Sequence, residues 1–271
     1  LCANLSSKDD KAAHCYLTSG FTPYEGMAYG QPMVISEGNL QIDGGYYCNM
    51  IDSFSSSGST RGAAILIDGG TAVINGGRYA GTACGIAVRN DAQLTVNNGY
   101  IGSLDTGLYI GDNASAVIHD GEFDRYEKTS SSSKSQNCAV MMNSTGDLTI
   151  YGGSFYGAKQ GLFLQSAGQV TIWNGSFKSR NPREAQQGAM VISDMENMNI
   201  TVYNGTFSGT AGIRSNVKFP LKDILPDKNS NGMRATGNGV VIDLNTEAFI
   251  FGENRLTIEK SVPIITKQPQ N

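Results

Sequence analysis

The acid–base chemistry open to this chain concentrates in two polar segments, "DRYEKTSSSSKSQN" and "KSRNPREAQQG". Asp124 and Glu127 lie in the first, and Arg180, Arg183 and Glu184 in the second. Two carboxylates near two guanidinium groups could abstract a proton or bind a uronate. The same mixture on long loops also makes a solvated surface. A second set is aromatic. Tyr151, Trp173 and Tyr203 recur at one place in a repeated pattern, each two residues after a threonine: Thr149, Thr171 and Thr201. Aromatic side chains expose a large rigid area at small entropy cost, and such a strip suits the apolar faces of sugar rings. The threonine hydroxyls would add hydrogen bonds. The competing reading is that stacked aromatics only stabilise a sheet.

Both sets depend on the elements that position them. The motif [apolar]-x-[apolar]-x-[Gly/Asn/Asp]-Gly-x-[aromatic] places a glycine at 45, 77, 99, 121, 153, 175 and 205, at spacings of 32, 22, 22, 32, 22 and 30. One unit is 22 residues, and three units carry insertions. In "LTVNNGYI", Leu94 and Val96 point one way and Thr95 and Asn97 the other, the two-residue period of a strand. Asn98–Gly99 then makes the bend, with residue types that tolerate positive φ. Past the bend the inward position reads Tyr47, Tyr79, Ile101, Phe123, Phe155, Phe177, Phe207. A second strand follows, as in "GIAV", "GLYI" and "GLFL".

Short strands at this period, with no helical pattern between them, predict a single-stranded all-β fold: a parallel β-helix with about 22 residues per rung. Like residues then lie on like at the ordinary strand spacing of about 4.8 Å. No LxxLxLxxN pattern supports the leucine-rich alternative. The repeats "LTVNNGYI" and "VTIWNGSF" resemble the right-handed parallel β-helix of the pectate-lyase-like superfamily, as found in uncharacterised bacterial, clostridial-type surface proteins. The resemblance covers about Met33 to Gly209. It implies an extracellular, surface-attached or secreted protein. It is silent on activity, because that fold hosts lyases, hydrolases, adhesins and phage spikes alike.

The ends should differ from the body, since a solenoid needs caps over its open edges. Residues 1–32 read as an N-terminal cap with a short helix, where Ser7 and Asp10 could form a capping box. Residues 33–209 read as the β-helix, and 210–262 as an irregular C-terminal cap or appended β-element. Residues 263–271 resemble a linker toward a bacterial immunoglobulin-like module. The insertions leave one corner: the step from inward aromatic to next strand is 7 residues from Ile101 to Leu108, but 17 from Tyr47 to Ala64 and from Phe123 to Val140, and 13 from Phe177 to Met190. Loops grouped on one edge of a rigid scaffold often carry function.

The outward column that holds the aromatics runs Asp43, Asn75, Asn97, His119, Tyr151, Trp173, Tyr203, with His119 standing alone as an exposed imidazole. A second outward column is apolar: Ile65, Ala87, Tyr109, Met141, Phe163, Val191. Apolar residues facing out over so many rungs rarely stay wet, so the insertion loops should cover them, with a subunit interface as in trimeric spikes and a ligand groove as the alternatives.

Composition narrows the classes further. The chain has 271 residues, a net charge of −4, 16% charged residues and 34 glycines. A basic stripe for nucleic acid is missing. No apolar run reaches the length of a membrane span. The five cysteines, Cys2, Cys15, Cys48, Cys84 and Cys138, leave at least one outside any internal pairing and form no CxxC motif. His14–Cys15 reads as part of a cap more readily than as metal ligands. No cofactor is expected. Of the β-helix hydrolase motifs, NTD, GHG and RIK do not occur, and the adjacent pair Asp9–Asp10 falls in the cap region. The sequence therefore favours a non-catalytic domain that binds glycan or a host-surface ligand. A polysaccharide lyase or glycoside hydrolase, and a structural spacer or assembly module, are the alternatives.

Overall fold

The computed structural model describes residues 34–49, 62–125, 137–180, 187–227 and 232–261. The N-terminal cap, the first insertion, Glu127, Arg183, Glu184 and the proposed linker lie outside them. The described chain is a coil of short strands that visits three sheets in rotation. One turn runs Cys84–Arg89 (sheet A), Gln93–Val96 (sheet B), Tyr100–Ser103 (sheet C), and Thr106–Asp112 returns to sheet A. Sheets A, B and C hold nine, seven and ten strands.

Through the body, each strand pairs in parallel with its counterpart one turn later. Ile86 sits beside Leu108, Leu94 beside Ala116 and Ile101 beside Phe123, each 22 residues on. Where an insertion intervenes the register holds, with Leu108 beside Val140 and Phe123 beside Phe155. The architecture is thus an all-β parallel solenoid, in agreement with the repeat.

The core is what the inward positions dictate. Leu94 and Val96, Ala116 and Ile118, Leu148 and Ile150, Val170 and Ile172 face inward from sheet B, all essentially dry. Sheet C contributes the aromatic ladder. Phe123, Phe155, Phe177 and Phe207 stack at 4.9, 4.6 and 4.9 Å between ring centroids, with interplanar angles of 16°, 8° and 6°. Tyr47 and Tyr79 make a shorter stack at 5.2 Å, and Ile101 separates the two. Burying one phenylalanine side chain contributes about 1.5–3 kcal/mol, and each stacked pair adds about 0.5–1.5 kcal/mol. The Tyr79 hydroxyl donates to the Gly76 carbonyl at 2.6 Å, and burial pushes this phenol well above its ordinary range.

Two kinds of corner need glycine. At Gly153, φ is +110° and a Cβ would lie 2.9 Å from the Gly121 carbonyl oxygen of the turn below. At Gly157, a Cβ would meet the Gln160 carbonyl at 1.6 Å, so the tight step from sheet C to sheet A excludes any side chain.

Beyond Gly209 one more strand, Ile213–Pro220, pairs in parallel with Gly188–Ile192, and there the parallel rule ends. Glu247–Phe251 closes sheet A antiparallel to Ile213–Pro220, and Asn254–Lys260 closes sheet C antiparallel to Gly205–Gly209, with Met233–Gly237 and Val240–Val241 beyond it. A 3-10 turn at Leu221–Ile224, which buries Leu221 and Ile224, follows the Ile213–Pro220 strand.

One expectation is corrected here. Ile65 is not in the outward apolar column: it pairs with Ile86 inside the core, and Leu66 takes the outward place beside Ala87. The run Ala63–Ile67 is apolar at every position, so the two-residue period gave no parity. The rest of the column stands as expected, with Ala87, Tyr109, Met141, Phe163 and Val191 side by side. Leu66, Ala87, Met141 and Val191 are buried, while Tyr109 and Phe163 are partly buried.

Candidate functional site

The outward face of sheet B carries the aromatic column, and its backbone is held rung by rung. The N–H groups of Tyr151, Trp173 and Tyr203 donate to the carbonyls of Ile118, Ile150 and Ile172 below them at 2.7, 2.7 and 2.8 Å. Each aromatic residue therefore leaves its strand at the same height as its predecessor, and the side chains stack. Tyr151 and Trp173 lie 6.2 Å apart at 5°, and Trp173 and Tyr203 lie 4.1 Å apart at 6°. Tyr151 is 46% exposed and Trp173 42%, while Tyr203 is partly buried.

The stack extends one member further than expected. His119 is exposed but not isolated: its ring lies 5.0 Å from that of Tyr151, 4° from parallel. Its membership of the column was legible, but its stacking depends on side-chain torsions that residue type does not fix. Below His119 the column changes chemistry. Asn97 donates from Nδ2 to Asn75 Oδ1 at 2.7 Å, and Asn75 donates from Nδ2 to Asp43 Oδ1 at 2.6 Å. The Asn75 and Gln41 amides hold the exposed Asp43 carboxyl below its usual range. One strip therefore has an amide ladder at one end and an aromatic stack at the other.

Ring orientation limits what the aromatic half can do. Rings stacked along the solenoid turn their faces to one another and their rims to solvent. The exception is the Tyr151–Trp173 step. Near-parallel rings whose centroids lie 6.2 Å apart, against 4.1 Å at the next step, are either offset or separated beyond face-to-face contact, and in both cases part of a face is left uncovered. Beside the rings, Thr149, Thr171 and Thr201 form one register column, each partly exposed. Gln169 Nε2 reaches Thr171 Oγ1 at 3.5 Å.

The second predicted site is partly assembled on sheet C. Arg180 Nη2 lies 2.9 Å from Asp124 Oδ1 and 3.0 Å from Oδ2, although the two residues are 56 positions apart in sequence. Two tyrosines that the sequence did not single out lie beside the pair. The Tyr100 hydroxyl is 3.4 Å from Asp124 Oδ2, and the Arg180 guanidinium lies over the Tyr156 ring at 5.6 Å. Asp124 is buried and engaged by Arg180, an arrangement suited to holding a loop corner more than to accepting a proton from a substrate.

Among the described residues, no group of three or more His, Cys, Asp or Glu side chains could hold a metal ion, and no helix is long and apolar enough to cross a membrane. Cys48, Cys84 and Cys138 are all buried. Compared with family models, with curated proteins and with solved structures, the chain has no significant match.

Proposed function

We propose that this chain is a non-catalytic extracellular domain of a bacterial surface or secreted protein, built as a right-handed β-helix, that binds carbohydrate along the outward face of sheet B. The observation that carries the reading is the pair Tyr151 and Trp173, nearly half exposed yet fixed in a stack of four rings. Large aromatic rings held rigid and wet lose little entropy when a ligand settles on them. The uncovered part of a face at the Tyr151–Trp173 step would receive the apolar face of one sugar. The ring rims and the Thr149, Thr171 and Thr201 hydroxyls would bond to hydroxyls of its neighbours.

The extracellular setting is supported by the resemblance of the repeat to surface-protein β-helices. The enzyme alternative finds less support. Asp124 is already paired with Arg180, and the outward columns of sheet B carry amides, threonines and rings in place of paired carboxylates. Titration of the single tryptophan, Trp173, with oligosaccharides tests the proposal. Saturable change on one glycan supports it, and indifference to all of them makes the stack a structural ladder.

A further inference from the structure

The corner between sheets B and C repeats an asparagine–glycine step whose geometry is chemically reactive. At Asn98 the Gly99 N–H donates to the residue's own Oδ1 at 2.7 Å, and at Asn174 the Gly175 N–H does the same at 2.8 Å. With a C=O bond of about 1.23 Å, each side-chain Cγ lies within about 4 Å of the following backbone nitrogen. Rotation about the Cβ–Cγ bond leaves that distance unchanged and turns the face of the carbonyl toward the nitrogen. Both asparagines are exposed, and glycine has no side chain to shield its nitrogen. The ladder between turns at these corners is built from other donors: Glu122 N–H bonds to the Gly99 carbonyl, and Thr206 N–H to the Gly175 carbonyl.

We propose that Asn98 and Asn174 are sites of spontaneous intramolecular deamidation. The glycine nitrogen loses its proton to solvent base and attacks Cγ. The new N–Cγ bond closes a succinimide, the Cγ–Nδ2 bond breaks, and Nδ2 takes a proton back from solvent and leaves as ammonia. Water then adds to one ring carbonyl and the ring C–N bond at that carbon breaks: addition at Cγ gives aspartate, and addition at the backbone carbonyl gives the β-linked isomer. The only co-reactant is water. Holding the nitrogen within about 4 Å of the carbon it must attack is the positioning that accelerates such a step.

The chain contains its own comparisons. Asp120 occupies the same corner one turn above Asn98, and Gly121 N–H donates to its Oδ1 at 2.8 Å. The corner therefore accepts the aspartate product without rearrangement. Asn75–Gly76 is the counter-case. Its side chain is held along the solenoid, donating to Asp43 at 2.6 Å and accepting from Asn97 at 2.7 Å. The same dipeptide is thus poised at 98 and 174 and restrained at 75. At Asn174 the reaction would set a carboxylate next to Trp173.

The experiment is site-resolved deamidation by peptide mass mapping, with the folded protein held at mildly alkaline pH and a parallel sample in urea. In the folded protein, Asn98 and Asn174 should convert at least about tenfold faster than Asn75, a barrier difference of about 1.4 kcal/mol. In urea the three should convert at similar rates, because all precede glycine. Folded-state rates at 98 and 174 no higher than at 75 would overturn the proposal. So would the same ranking in urea, since the difference would then not come from the fold.

Discussion

Trp173 lies against Tyr203 at 4.1 Å with the rings 6° from parallel, whereas its other neighbour, Tyr151, is 6.2 Å away. The indole is thus closely covered on one side and overhung on the other. That asymmetry decides where a ligand could touch a ring face in a column that otherwise presents rims. It also separates this outward stack from the inward one, where Phe155 is sandwiched at 4.9 and 4.6 Å and no face is left.

Phe155→Ala removes the central ring of the inner ladder. Phe123 and Phe177 cannot close the gap, because their heights are set by sheet pairing. The substitution should destabilise the domain by about 3–5 kcal/mol, read as a lower urea midpoint. A change below about 1 kcal/mol would contradict the packing described.

Gly153→Ala should cost about 1–2 kcal/mol, and more if the 2.9 Å approach to the Gly121 carbonyl cannot relax. Gly44→Ala is the control, since nothing lies within 4 Å of a Cβ at that position. Equal effects of the two substitutions would contradict the corner geometry.

Asp68 accepts from Arg89 Nε at 2.8 Å and Nη2 at 2.7 Å, and also from Asn90. The Arg89 hydrogen bonds hold its carboxyl below the usual range, aided by the opposite charge and the Asn90 bond, while burial opposes them. A folded pKa below the unfolded value of about 3.9 means stability that is present above that value and lost as pH falls through the folded one. Arg89 is a third exposed, so the contribution should not exceed about 1 kcal/mol. Asp68→Asn should be less stable than wild type at neutral pH, and the difference should vanish in strong acid. A difference that persists there would show that the residue acts by packing.

Burial drives the Cys84 and Cys138 thiols well above their ordinary range, with the Asp105 carboxylate acting in the same direction. The nucleophile is the thiolate. Both residues should therefore resist iodoacetamide in the folded protein and react on unfolding in urea. Rapid labelling of either one in the native state would contradict its placement.

The solenoid was legible because identity recurs at a fixed interval: Phe155 and Phe177, or Thr149 and Thr171, announce their register by repetition alone. Where repetition failed, so did the reading. Ala63–Ile67 offered no alternation, and Ile65 was assigned to the wrong face. The candidate strip was visible as a column, but the stacking of His119 on Tyr151 and the unequal ring spacings depend on torsions. Asp124 and Arg180 border insertions that leave the same corner two turns apart, which brings 56 residues of separation into contact. Tyr100 and Tyr156 were missed because nothing in their local sequence points toward that pair.

The central claim is most directly tested by Trp173 itself, the single tryptophan of the chain. Its fluorescence should be recorded while the protein is titrated with plant, mucin and bacterial oligosaccharides. The account predicts a red-shifted maximum in the free protein, consistent with an indole 42% exposed. It also predicts a saturable change with at least one glycan that Tyr151→Ala abolishes while the urea midpoint is kept. A maximum indifferent to every glycan would contradict the binding account and leave the stack as a ladder that only braces sheet B.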